Sequence, residues 1–103
     1  MHLLATNIPA TLTLSGELSF ATAASLYKKG CRLIAAHPKI VFDLRQVTTS
    51  DNSGIALLIT WTRYTKMLKK SIKFINPPAQ LMSMLKLTNL QKLLPIEMGE
   101  NKF

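Results

Sequence analysis

Asp51-Asn52-Ser53-Gly54 is the stretch of this 103-residue chain whose residue types and spacing could do the most chemistry. Three side chains bearing oxygens follow Thr48-Thr49-Ser50 and precede the apolar run Ile55-Ala56-Leu57-Leu58-Ile59, which is where a helix should begin. The first N–H groups of a helix have no partner inside it. A side-chain oxygen of Asp51, Asn52 or Ser53 would accept from them, a cap worth about 0.5–2 kcal/mol. The same helix start could hold an anion weakly. Gly54 leaves room for close approach, either of a neighbouring strand or of another molecule's backbone.

The other reactive groups do not form a catalytic pattern. The carboxylates are Glu17, Asp43, Asp51, Glu97 and Glu100, and no spacing pairs two of them across a cleft. His2 and His37 stand apart, and Cys31 is the single cysteine. That set has neither zinc-ligand spacing nor a Ser-His-Asp or Cys-His order. Ser15-Gly16-Glu17 and Asn52-Ser53-Gly54 lack the several glycines and following lysine of a phosphate-cradling loop. The expectation is no enzyme activity, no metal and no cofactor. Cys31 reads as a small packing residue, and one cysteine allows no internal disulfide.

These groups must be positioned by alternating strands and helices. Ala10-Thr11-Leu12-Thr13-Leu14 alternates as a half-buried strand, with Ser15-Gly16-Glu17 as a turn after it. Phe20 to Ala36 reads as a helix with Phe20, Ala23, Leu26, Tyr27, Leu33 and Ile34 on its apolar side, stopped by His37-Pro38; Gly30 weakens it by about 1 kcal/mol relative to Ala. Lys39 to Leu44 has the apolar run of a central strand covered on both faces. Ser53 to Lys70 is a second helix, Ser71 to Asn76 a strand, Pro77-Pro78 to about Lys86 a third helix. Thr88 to Leu94 adds a short helix and Ile96 to Met98 an edge strand. This order predicts a small α/β fold, one domain over residues 1–103, with at least one parallel crossover. Sites in such sheets gather where strand ends meet helix starts.

On the second helix, Leu57, Leu58, Trp61, Tyr64 and Leu68 fall on one side as a core stripe. Ile55 and Ile59 fall on another arc with Thr62, Arg63 and Lys66, and Ala56 alongside. An apolar pair among cations suggests a contact surface, the alternative being a helix sandwiched more deeply between its neighbours.

The charge is unbalanced, with 13 Lys and Arg against 5 Asp and Glu, a formal +8. Such a surface suits a nucleic acid, an anionic membrane or an acidic protein. Seven aromatics, mostly at core positions, offer no stacking platform, and no helix-turn-helix or zinc-finger motif is visible, so no nucleic acid is expected. Lys66, Lys69, Lys70 and Lys73 read either as solvated helix ends or as groups facing anionic headgroups. No window reaches the roughly 18–20 apolar residues of a membrane span, and the start lacks the form of a signal peptide, so a cytoplasmic location is expected.

Taken in order, Leu14-Ser15-Gly16-Glu17-Leu18, Val41-Phe42-Asp43-Leu44, Asp51-Asn52-Ser53-Gly54-Ile55 and Ile72-Lys73-Phe74-Ile75-Asn76 resemble a STAS domain over about residues 10–96. Gly54-Ile55-Ala56-Leu57-Leu58 and Leu85-Lys86-Leu87-Thr88-Asn89-Leu90 are most similar to the MlaB-type STAS subunits of phospholipid-transport ABC complexes. The resemblance implies a mixed sheet of 4–5 strands flanked by helices. It also implies a non-catalytic subunit that binds the transporter's MlaF-like ATPase, and through it a permease, at the inner membrane, in a system maintaining outer-membrane lipid asymmetry.

The contact surface would take in Thr49, Ser50, Asp51, Asn52, Ser53, Gly54, Ile55, Ala56, Ile59 and Arg63. A free domain exposing this face would be able to pair with itself, and the basic residues to meet the anionic membrane surface. Anti-sigma-factor antagonists, the other large STAS group, carry a phosphorylatable serine directly after the aspartate. Asn52 stands there, without a hydroxyl, so no phosphorylation is expected at that position and Ser53 is a poor substitute. Asn52 is expected instead to hydrogen-bond the ATPase.

Overall fold

The computed structural model describes residues 10–97; His2, Met98 and Glu100 lie outside them. Strands and helices alternate along the chain. They are β1 (Ala10–Leu18), α1 (Phe20–Ala36), β2 (Lys39–Ser50), α2 (Asn52–Met67), β3 (Ser71–Ile75), α3 (Ala79–Thr88), a 3-10 turn (Leu90–Leu93) and β4 (Ile96–Glu97).

The four strands pair in the order β1-β2-β3-β4, every pair parallel. The fold class is therefore the expected small α/β STAS-like arrangement, but the described sheet is parallel rather than mixed. Each strand steps to its neighbour in one direction, and right-handed crossovers then place the connecting helices on one face. Burial along β2 agrees. Ile40, Phe42 and Leu44 are buried while Val41 and Asp43 between them are only half-buried. The central strand is thus covered fully on one face, not on both as its apolar composition suggests.

Two strands run longer than expected because pairing continues through polar residues. β1 and β2 stay in register from Ala10↔Ile40 to Leu18↔Ser50, with shifts between Thr13 and Ser15 and between Gly16 and Glu17. Ser15-Gly16-Glu17 is consequently part of β1 and not a turn after it, and the extra residue at each shift lies on β2, where Ile40 to Ser50 oppose Ala10 to Leu18. Gly16 adopts φ +81°, which only glycine takes without strain.

The core is centred on Trp61 of α2, which stacks on Phe42 with ring centroids 4.4 Å apart; Phe42 in turn meets Phe74 at 5.6 Å. Above Trp61 lies Gly30 of α1, where a methyl would drive into the indole ring. The glycine that weakens α1 locally is what lets α1 and α2 close on each other. At the C-terminus of α1, Lys70 Nζ donates to the carbonyls of Ile34 (2.7 Å) and Ala35 (2.8 Å). It therefore neutralises the negative end of α1, not that of its own helix, and is not simply solvated.

Candidate docking site

Because Leu18 and Ser50 are register partners, β1 and β2 end at the same level and α1 and α2 start side by side. Asp51 occupies the junction. Its N–H donates to the Leu18 carbonyl (3.2 Å). Its Oδ1 accepts from the N–H groups of Ser53 (2.8 Å) and Gly54 (3.1 Å), and its Oδ2 accepts from that of Phe20 (3.2 Å). One carboxylate thus caps both helices.

The neighbours hold this junction rigid. A methyl on Gly54 would collide with the Leu18 carbonyl, so of the two readings of that glycine the neighbouring strand is the one that applies. The Ser50 N–H donates to Gln80 Oε1 (3.2 Å), which ties the end of β2 to α3. At the start of α1, Thr22 Oγ1 accepts from the Ser19 N–H (3.1 Å). The hydroxyls of Ser19 and Ser50 are buried without a hydrogen-bond partner.

The ten residues expected at the contact surface fall into two groups. Thr49, Asp51, Asn52, Ala56 and Arg63 are exposed, and Ser53 and Ile59 are half-buried; these share one end and one flank of α2. Ser50, Gly54 and Ile55 are buried. Ile55 is 2% exposed and Thr62 4%, so the second apolar face is not a free surface there. The physical reason is that α2 packs against both the sheet and α1, which widens its buried arc beyond a single stripe. Ile59, packed against the core's edge, is the apolar remainder. Leu68, expected in the core stripe, is exposed beyond the last helical residue.

Spacing puts Phe20 on the apolar side of α1, but the structure leaves its ring outside the core. It is 81% exposed and stands beside Asp51 through the bond just described. Helical spacing alone misplaces it, because the first residue of a helix can overhang the layer that its later turns cover. The signal that could have found it is its position directly after Ser19, the helix cap.

The family model described as Mlab, STAS domain matches residues 1–95. The chain belongs to this STAS family. Among curated proteins, none matches the STAS chain. Among solved structures, it is similar to the anti-sigma factor antagonist SpoIIAA in its unphosphorylated form (17% identity, 89% of this chain and 80% of that one, TM-score 0.72). It is also similar to a putative anti-sigma factor antagonist from Thermotoga maritima (19%, 84% and 77%, TM-score 0.73) and to one from Mycobacterium paratuberculosis (22%, 84% and 74%, TM-score 0.74). At these identities the likeness is one of fold. Among the described residues, no helix is long and apolar enough to cross a membrane, and no cluster of three potential metal ligands occurs.

Proposed function

We propose that this STAS domain is a non-catalytic docking subunit that binds and stabilises the ATPase subunit of an ABC-type phospholipid transporter. The observation that carries the reading is Phe20, an aromatic ring left almost wholly in water beside the doubly capped Asp51 junction. Leaving a large ring exposed forgoes the stabilisation that burial gives, and such rings are the usual anchors of protein interfaces. Around it, Thr49, Asn52 and Arg63 supply a polar rim, with Ala56 and Ile59 continuing the apolar strip along α2. The family's Mlab description supports a transporter partner. The ATPase would be cytoplasmic, which places the domain at the inner membrane only through the complex.

The test is co-purification with the ATPase subunit. Phe20→Ala should weaken capture by at least about tenfold, a loss typical of interface anchors, and Asn52→Lys should weaken it too. Neither should change the melting temperature appreciably, since both side chains are exposed. Unchanged capture by both variants would overturn the location of the site.

A second reading, an anti-sigma-factor-antagonist-like regulator, is favoured by the fold of the solved neighbours, one of which is also known in a phosphorylated form. Asn52 argues against a phosphate-driven version of it, for lack of a hydroxyl. Capture of an anti-sigma factor instead of the ATPase would select this reading.

A further inference from the structure

At the other end of α2, about 20 Å from Asp51 by helical rise, a cleft of about 420 Å³ opens between the last turns of α2, the start of β3 and the 3-10 turn. Lys66, Lys70 and Lys92 line it together with Ser71, over apolar Ile72 and Leu93. Among the described residues no carboxylate lines it, and Glu97 pairs with Lys73 at 3.0 Å. Three ammonium groups around one small cleft repel one another unless an anion joins them. Thr62 and Thr65, also at its wall, spend their hydroxyls on the helix carbonyls of Leu58 (2.9 Å) and Trp61 (2.7 Å), so among the described residues the lysines and Ser71 are the side chains left to donate.

Lys70 is held by the Ile34 and Ala35 carbonyls, and an ammonium with two N–H groups so engaged keeps a third. A fixed cation with two solvent-exposed ones beside it suits a compact dianion better than a single carboxylate. The apolar floor adds a second requirement. Among the described residues no aromatic ring lines the cleft to stack a base.

We propose that this cleft binds a phosphate group attached to a short apolar moiety. The group could be carried by a phospholipid headgroup region or by a soluble phosphate ester, and both offer the same chemistry. The site is independent of the docking surface at the opposite end.

The experiment follows backbone amide shifts while dihexanoyl phosphatidic acid, kept below its micelle concentration, is titrated into the full chain. The expected result is saturable shifts at Ser71, Lys92 and Leu93, with affinity falling about tenfold or more in Lys66→Gln/Lys92→Gln, the loss expected for charge-assisted hydrogen bonds. The control Lys28→Gln/Lys29→Gln removes the same charge from the outer face of α1 and should bind as the parent does. Equal losses in both double variants, or shifts that never saturate, would overturn the proposal as mere long-range attraction. With binding established, phosphatidylglycerol vesicles identify the source. A lipid source is indicated if they retain the parent and release the Lys66→Gln/Lys92→Gln variant. A soluble ester is indicated if they treat the two alike. Lys70 is left unaltered throughout because it also caps α1.

Discussion

Asp51 serves as a local cap and as a long-range tie through different oxygens, and substitution can separate the two. Asp51→Ala removes the acceptors for Ser53, Gly54 and Phe20 together and should cost about 2 kcal/mol of unfolding free energy, in the range of strong caps. Asp51→Asn keeps one carbonyl oxygen, enough for α2 but not for both helices, and should cost about half as much. Urea denaturation of the pair checks this, with equal losses counting against the shared cap. The α2 cap was legible from Asp51-Asn52-Ser53-Gly54 because capping is a rule about adjacent residues. The bond to Phe20 was not, since its partners lie 31 residues apart in sequence and meet only because β1 and β2 end together.

Elements were legible where their boundaries are written locally. α1 runs from Phe20 to Ala36 as its sequence predicts, between Ser19 and His37-Pro38. The end of β2 was not, because Val47-Thr48-Thr49-Ser50 looks like loop until β1 is there to pair with it. The two helix glycines illustrate the same divide. By propensity alone, Gly30→Ala should stabilise α1 by about 1 kcal/mol. With Trp61 against that position, the net effect should be a loss of about 1–3 kcal/mol, typical of overpacking. Gly54→Ala should also destabilise, because its obstacle is the Leu18 backbone, which cannot rotate away. Thermal melts of both variants check the sign, and a rise in melting temperature would show that α1 and α2 are less closely seated than described.

At the scale of the molecule, the parallel sheet of the described residues sets a gradient of stability from its middle to its β4 edge. β2 is paired on both sides and carries Phe42 in the aromatic stack, whereas β4 contributes Ile96 and Glu97 alone. Hydrogen exchange should be slowest at the amides of Ile40 to Leu44 and faster by orders of magnitude at β4, because local openings cost far less than global unfolding. Uniform protection across the sheet would contradict this. The α/β class and a parallel crossover were readable from alternation and crossover length, but the strand order and the one-sided cover of β2 were not, since an apolar run looks the same whether one face or two are filled. The Lys73–Glu97 ion pair, half-exposed on both sides, is worth little to this gradient.

Trp61 is the sole tryptophan of the chain, wholly buried between Phe42 and the α1 glycine. Its emission is thus a built-in optical gauge of whether α1 is seated on the sheet. Phe20 lies at the far end of α1, so a ligand engaging that ring should leave the glow unaltered, while any unseating of the helix should shift it to the red.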